Sequence, residues 1–543
     1  MAAHTKAIVA IPGDAGVHVK TAGAKGEKYV YKYVKYFRNA EGKPRNQAVA
    51  IGKWAGEGKM APNWRYGEMY GVDPAIPEAG VWDYGYSYLA LKASRDMGLL
   101  GSLEAAFGER RALDMVVMAS YIIREGSAMD GIDDWRQRNY FPGSGRSLTS
   151  QSTSKIFAGL SARPINDFFS GWVEKTIGEG VVCYDVTSIS SYARPMPSVE
   201  RGYNRDGEDL AQFNLGMFCD EASGIPIYYN RYNGSLTDKT NLSCALANAE
   251  AVGIKRVKLV VDGGFMAKGC LTDLAGMCEA FTVGMPTYLR ESRKILETHG
   301  GSVENYANSL KPAHMFCMAV DCELHGVSGK AMLYFDALSH VWLCDELSEN
   351  INRLKAELSA LKRYPKNNLK RYEPYFSIVK HEQGPGFDYK VNVEEVEKAR
   401  KSKGYFLIFT TDAESTPDEV LHHYRAKDVA EKMFDPIKCD MDGNRARTHS
   451  GQTTDGKVFV VFLACVIRSY FLRKLERYLT ENSTSLKKAF SQLSNIVVIS
   501  GPQGMRFAKA LTKKQKEILK PFGADLDIVA SLNDLSTLIS GGI

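Results

Sequence analysis

The sequence predicts an α/β protein in which a helical segment precedes a strand-rich segment. Residues 82–175 place apolar side chains at helical spacing, with breaks at Gly and Pro. From residue 180 onward the pattern changes to short apolar runs that are typical of buried strands. We therefore expect a mixed sheet with flanking helices, preceded by a separate basic hairpin.

Length and composition indicate an ordinary globular chain with several domains. Its 543 residues are 44% hydrophobic and 24% charged, and domains usually hold about 100–200 residues each. The ten cysteines are scattered without a CxxC pair, which argues against a zinc site and against a disulfide scaffold. We find no signal segment and no apolar span of about 20 residues, so we expect a cytoplasmic chain without a membrane partner.

Positive charge is concentrated in residues 1–60. This segment carries nine lysines and two arginines against four carboxylates, a net charge of +7, whereas the whole chain carries +6. The stretch "KYVYKYVKYFRN" alternates aromatic and basic residues at strand period, and "QAVAIGKW" follows after a turn. We expect a hairpin with one aromatic and one cationic face. It either binds DNA phosphates or is a solvated edge whose lysines prevent aggregation.

Residues 61–175 are expected to form a helical DNA-binding region. Within it, "GRSLTSQSTSKIFAGLSARPINDFFSGWVEK" can hold two short helices joined by a turn, an arrangement that suits docking on DNA. A plain helical bundle explains the same periodicity equally well. The DNA-binding role of this region is therefore a hypothesis.

Two aspartates lie in apolar runs of the strand-rich segment. Asp185 belongs to the first of four expected strands and Asp262 ends the fourth, with a helix before it, giving the order β-β-β-α-β. A buried carboxylate is costly unless it is paired, hydrogen-bonded or bound to a metal. Asp185 therefore either caps a turn through Thr187 or Ser188, or is a functional ligand. The four runs are "VVCYDVTSI", "LAQFNLGMFCD", "IPIYYNRYNG" and "VKLVVDGGF".

A third carboxylate follows a long segment, roughly residues 285–400, that contains no motif indicating a function. "YFLIFTTD" then predicts a strand, and a helix begins near Thr416, which can form a capping box with Glu419. Along that helix Tyr424, Lys427 and Glu431 share one face at i, i+3 and i+7. Glu431 is therefore the third candidate.

These ordered segments resemble the DDE transposases of bacterial insertion sequences, of the insertion-sequence-four type, whose catalytic core is similar to RNase H and retroviral integrases. The family usually has an arginine at the position of Lys427. A lysine keeps the charge but cannot form the two parallel hydrogen bonds that a planar guanidinium donates to a phosphate. Pro436 would end or kink the helix before Lys438. The family signature of Tyr, Arg, Glu and Lys resembles Tyr424, Lys427, Glu431 and Lys438. The resemblance rests on "YDVTS", "GYNRDGEDLAQFNLGM", "IPIYYNRYNGSLTDKTNL", "LVVDGGF" and "YRAKDVAEKMFDPIK".

The resemblance implies a fold and a chemistry. It implies an RNase H-like mixed sheet formed by residues 176–284 and 401–475, interrupted by a largely β insertion at 285–400 and followed by a helical region at 476–543. It also implies that Asp185, Asp262 and Glu431 are catalytic and hold two Mg²⁺ ions per site, with Mn²⁺ as the alternative. Two-metal cleavage of a phosphodiester requires such hard oxygen ligands.

The implied partner is double-stranded DNA, both transposon ends and target, bound by a homodimer in a bacterial, nucleoid-associated cytoplasmic setting. For the arginines among the candidate contacts, an ordinary solvated role fits the sequence equally. A catalytically inactive DNA-binding descendant and a stand-alone metal-dependent nuclease are the alternative functions. The candidate DNA contacts are Tyr424, Arg425, Lys427, Lys438, Arg445 and Arg447.

Overall fold

A five-stranded antiparallel sheet and one helix form the N-terminal part of the protein. Val30, Ile51, Met60 and Tyr66 make its small core. The computed structural model describes residues 8–22, 26–38, 42–70, 80–144, 148–178, 180–191, 198–205, 207–435, 438, 448, 450–501 and 504–531. The first elements are β1 (Val9–Ala10), β2 (Val17–Thr21), β3 (Lys28–Arg38), β4 (Pro44–Gly56), β5 (Lys59–Pro62) and α1 (Trp64–Tyr70), with the strands in the order β1-β5-β4-β3-β2.

The predicted N-terminal hairpin is confirmed, because β3 pairs with β4 along most of its length. The predicted separation into an aromatic and a cationic face is confirmed along most of β3. The register shift within residues 33–35 restores the alternation, so one face carries four tyrosines and the other three lysines, with Phe37 on the lysine face: Tyr29, Tyr31, Tyr33 and Tyr36, and Lys28, Lys32 and Lys35. Lys32 is already paired within the protein, since its ammonium group lies 2.5 Å from Asp14 and 3.0 Å from the Tyr70 hydroxyl.

The predicted helical region is present and packs into the main core. The two short helices expected within residues 145–175 are α6 and α7. Phe168 and Trp172 of α7 are buried, and the Trp172 indole donates to the Pro226 carbonyl at 3.0 Å. The elements are β6 (Gly80–Asp83), α2 (Gly85–Asp96), α3 (Leu99–Phe107), α4 (Glu109–Glu125), α5 (Ile132–Arg138), α6 (Ser150–Ala158) and α7 (Ala162–Thr176).

The predicted order β-β-β-α-β is confirmed and forms the centre of the main sheet. These strands are almost wholly buried, which explains their continuous apolar runs. The elements are β7 (Val181–Ser191), β8 (Ala211–Asp220), β9 (Pro226–Asn233), α8 (Asp238–Ala251), β10 (Lys258–Val261), α9 (Lys268–Met277) and β11 (Ala280–Met285).

Residues 285–400 depart from the expected largely β composition. Two of their strands, β12 and β13, join the main sheet, and most of the remainder is helical. Leu347, Ile351, Leu354 and Leu358 recur at helical spacing and are buried on one face, which favours a long helix. The elements are α10 (Arg290–His299), β12 (Met315–Leu324), β13 (Val327–Asp336), α11 (Ala337–Ala360), α12 (Leu369–Tyr372), β14 (Phe376–Lys380), β15 (Phe387–Val391) and α13 (Val393–Lys401).

The last third of the chain completes a mixed eight-stranded sheet of order β12-β13-β16-β11-β10-β7-β8-β9. Its three central strands β7, β10 and β11 are parallel, and every other neighbouring pair is antiparallel. The C-terminal region is not purely helical, since β17 pairs with β18 and with β6. The elements are β16 (Tyr405–Thr410), α14 (Pro417–Asp435), α15 (Gly451–Glu481), α16 (Leu486–Ser494), β17 (Val497–Gly501), β18 (Gly504–Phe507) and α17 (Lys513–Leu519).

Helix α15, the longest in the described part of the chain, is buried along its first half. It lies directly against α6 at Gly456, where an added Cβ would be 2.1 Å from the Phe157 carbonyl oxygen. No helix among the described residues combines the length and the apolar character that crossing a bilayer requires.

We expect Gly456→Ala to lower the apparent melting temperature followed by circular dichroism. The new methyl group must push two helix backbones apart, at a cost of about 1–3 kcal/mol. Gly171→Ala is the matched control, because this α7 glycine has open space around its Cβ position, and alanine should be neutral or stabilising by up to about 1 kcal/mol. Equal effects of the two substitutions would contradict the close packing of α15 on α6.

Candidate active site

Asp185 and Asp262 lie side by side on adjacent parallel strands. Val181 to Tyr184 of β7 pair with Lys258 to Val261 of β10 in register, and the two aspartates are the next residues along the chain after these paired runs. Neighbouring strands are about 4.8 Å apart, so the two side chains emerge close together. Asp262 follows the end of β10, as expected.

The position of Asp185 differs from the expected strand end. Strand β7 continues to Ser191 and pairs with β8 throughout, so Asp185 lies in its middle. Thr187 and Ser188 are strand residues, and the turn-capping interpretation of Asp185 is therefore wrong. Because β10 ends at Val261, the second half of β7 has no parallel neighbour on that side.

The two aspartates flank the point at which the sheet changes direction. From β7 the chain continues to β8 on one side, whereas β10 is followed by β11 on the other. In open α/β sheets such a point leaves a crevice outside the carboxyl ends of the parallel strands, where ligands usually bind. Both carboxylates are thus at the place where the topology favours a site.

Successive turns of α14 cross successive strands of this sheet. Leu421 packs in the cluster that contains β16. The Tyr424 hydroxyl lies over β11, since a Cβ at Gly284 would be 2.1 Å from its oxygen. Lys427 reaches the end of β10 and contacts Asp262. A helical turn advances about 5.4 Å, close to the strand spacing of about 4.8 Å, so one turn spans one strand.

The next turn of α14 contains position 431 and follows the same path toward β7, on which the helix also packs. The helix begins as predicted, because Thr416 and Glu419 form a reciprocal capping pair: the Glu419 amide donates to Thr416 at 3.3 Å and the Thr416 amide donates to Glu419 at 2.8 Å. The side chain of Glu431 lies outside the described residues.

Lys427 and Asp262 form an ion pair at the crevice. The ammonium nitrogen is 3.1 Å from Asp262 Oδ1, and the lysine side chain is 20% exposed. Burial raises the pKa of Asp262, but the charge and hydrogen bond of Lys427, with the Gly264 and Gly263 amides, outweigh it and leave the pKa below its ordinary value. Asp262 is therefore held ionised next to a fixed cation.

Asp185 has a different environment. Burial raises its pKa to about 6, against the lowering effects of the Val186 amide and the Arg205 charge. Its one hydrogen bond among the described residues comes from Val186, at 2.8 Å. The nearby buried Asp220 instead accepts three hydrogen bonds, one from Gly178 and two from Ser223. An incompletely satisfied carboxylate in a crevice is typical of a functional group.

Arg205 is a site residue that the sequence did not identify. Its guanidinium is 27% exposed, pairs with Asp238 and donates to the Ser188 hydroxyl at 3.3 Å. The preceding Asn204 is anchored to β8 through Gln212 at 2.7 Å. The quoted stretch "GYNRDGEDLAQFNLGM" contains this arginine, but only the fold brings it near Asp185.

The other predicted DNA contacts are not gathered at the crevice. Arg425 is exposed on α14, and its guanidinium lies 4.0 Å from the sulfur of Met315 in β12, the edge strand farthest from β7 on that side of the sheet. Lys438 is half-buried beyond the end of α14. Arg445 and Arg447 lie outside the described residues. Of that set, Tyr424 and Lys427 are the ones that the described structure brings to the crevice.

The donor set fits a hard divalent cation. Asp185 and Asp262 offer adjacent carboxylate oxygens, and Mg²⁺ typically binds one or two carboxylates while keeping several waters. The Lys427 ammonium group already places one positive charge next to Asp262. Within the described residues, no cluster of three His, Cys, Asp or Glu side chains suited to a metal is found.

Comparisons with known proteins include a distant similarity to a solved structure. No family model matches this chain, and no curated protein matches it. Among solved structures it is similar to the piggyBac transposase in a synaptic complex with hairpin DNA, determined by cryo-EM. The identity is 8%, the match covers 78% of this chain and 72% of that chain, and the TM-score is 0.36. A similarity at this level decides neither fold nor activity, which depend on the geometry above.

We expect Asp185→Asn to stabilise the protein at neutral pH. The native pKa of about 6 lies above the ordinary 3.8, so the folded state binds more protons between these values and its stability falls as pH rises through them. Asparagine does not ionise and avoids this loss, which is worth about 2–3 kcal/mol at 1.36 kcal/mol per pKa unit. The unfolding free energies of Asp185→Asn and of the parent protein should coincide near pH 4 and differ at pH 7.

The control is Asp220→Asn, in which a well hydrogen-bonded buried aspartate of the same sheet is changed. It should destabilise the protein at neutral pH, because part of its hydrogen-bonding is lost. A constant difference between Asp185→Asn and the parent protein across this pH range would contradict the raised pKa of Asp185.

Proposed function

We propose that this protein is a DNA transposase of the DDE type, which cleaves phosphodiesters at transposon ends and joins the resulting 3′-hydroxyls to target DNA. The observation that carries the proposal is the placement of Asp185 beside Asp262 at the crevice, under a helix that brings Lys427 to the same point. The mixed sheet with flanking helices is compatible with an RNase H-like core.

In this proposal Asp185, Asp262 and Glu431 hold two Mg²⁺ ions, or Mn²⁺ in their place. The chemistry that bound ions supply is activation of the attacking oxygen and stabilisation of the leaving oxygen. Lys427, next to Asp262, and Arg205, near Asp185, contribute positive charge that stabilises the nonbridging oxygens of a bound phosphate. Tyr424 supports the helix through its close contact with β11.

Two displacements at phosphorus account for the reaction. Water attacks the phosphodiester at the transposon end, and the departing oxygen becomes a free 3′-hydroxyl while the other product keeps the 5′-phosphate. That hydroxyl then attacks a target phosphodiester and releases a target 3′-hydroxyl. Because this step requires two ends to be held together, we propose a homodimer on double-stranded DNA. The proposed setting is the bacterial cytoplasm.

We expect Asp185→Asn, Asp262→Asn and Glu431→Gln each to reduce Mg²⁺-dependent DNA cleavage by at least about 10³-fold, because each removes a hard ligand. DNA binding in EDTA should stay within about threefold of the parent, since phosphate contacts come from basic side chains. Cleavage is measured on a supercoiled plasmid that carries the ends of the element.

Asp428→Asn is the matched control on α14, because this residue follows Lys427 and is exposed. It should cleave like the parent protein. Near-parental cleavage by either aspartate variant would remove that residue from the site. Cleavage without joining of a pre-cut end would instead identify a stand-alone nuclease, and binding without any cleavage would identify an inactive descendant.

A further inference from the structure

A two-stranded ribbon extends from the N-terminal sheet. Strand β2 pairs with β3 only over residues 28–32, and β5 pairs with β4 only over residues 52–56 and their partners. Residues 35–38 of β3 and 44–47 of β4 pair with one another, and neither run pairs with an outer strand among the described residues. An isolated two-stranded ribbon is marginally stable in water, so this one needs a reason to be exposed.

The ribbon exposes large apolar side chains of a kind that proteins usually bury. Tyr36 is 67% exposed, and Phe37 and Val34 are each 45% exposed. One face is partly occupied by the protein itself, because the Tyr36 ring lies 5.7 Å from Tyr33, whose ring is 4.7 Å from His18. The opposite face has no such internal partner in the described structure.

That opposite face, called the reading face here, consists of Lys35, Phe37, Arg45 and Gln47. Phe37 pairs directly with Arg45, and Lys35 with Gln47, so all four project from the same side. All four are exposed. Arg and Gln are side chains that hydrogen-bond bidentately to guanine and adenine edges, and Lys suits a phosphate.

The charge of the ribbon favours an anionic partner over a second protein copy. Residues 33–49 carry two lysines and two arginines against one glutamate, a net charge of +3. Two copies of such a surface would repel each other. Elsewhere in the N-terminal sheet, Lys53 lies 2.5 Å from Glu27 and is paired within the protein.

We propose that the reading face enters the major groove of duplex DNA, with Arg45 and Gln47 at base edges and Lys35 at a phosphate. The major groove is about 12 Å wide and 8.5 Å deep and admits a two-stranded β-ribbon. Phe37 then contacts apolar base edges such as the thymine methyl group. The proposal names the duplex-recognition element of the proposed transposase, but binding can be tested without cleavage.

The experiment selects duplexes from a random-sequence pool with the full-length protein in EDTA, and measures affinity for the selected duplex from about 50 to about 200 mM salt. Arg45→Ala should weaken binding by about 5- to 100-fold and relax the preference at one base pair. Lys35→Ala should reduce the salt slope by about one. Guanine N7 methylation should interfere with binding by the parent and not by Arg45→Ala.

The matched control is Lys20→Ala with Lys59→Ala, two exposed lysines of the same sheet outside the ribbon. It removes as much charge as Arg45→Ala with Lys35→Ala and should keep the base preference and most of the affinity. Circular dichroism verifies that each variant is folded. The proposal would be overturned if Arg45→Ala kept the affinity and the base preference of the parent protein. It would also be overturned if only methylation in the minor groove interfered with binding, or if the ribbon variants altered self-association and not DNA binding.

Discussion

The parallel pairing of β7 with β10 is the constraint on which the candidate site depends. The register of the two strands places Asp185 beside Asp262, so their relative position does not depend on a flexible loop. The early end of β10 then uncovers the middle of β7, so that a carboxylate inside a strand still borders a crevice. Two carboxylates held this close repel each other, and a cation between them relieves that repulsion. Lys427 supplies one such charge in the structure.

Helix α14 connects the carboxylates to the rest of the sheet. Because one helical turn nearly matches one strand spacing, Leu421, Tyr424 and Lys427 reach three different strands in sequence. The glycine at position 284 makes the closest part of this crossing feasible, since any side chain there would meet the Tyr424 hydroxyl. A shift of the helix by one residue would therefore displace Lys427 from Asp262. The spacing of Leu421, Tyr424 and Lys427 along α14 thus has a direct geometric reason.

Local patterns predicted much of this arrangement. The strands around Asp185 and Asp262 and the capped start of α14 follow from short-range periodicity and capping residues, and each was confirmed. Long-range features were not predictable in this way: β12 and β13 join the main sheet, and β17 pairs with β6 across most of the chain. Arg205 was missed for the same reason, because its place beside Asp185 depends on tertiary contacts rather than on a periodic pattern.

Anomalous diffraction from crystals soaked in Mn²⁺ tests the central claim most directly, namely that Asp185 and Asp262 together hold a divalent cation. We expect a manganese peak within coordination distance of both carboxylates, with the Lys427 ammonium group displaced from Asp262. The Asp185→Asn protein should lose that peak. If the soaked crystals contained no manganese at either carboxylate and Lys427 remained bound to Asp262 at saturating metal, the claim would be contradicted.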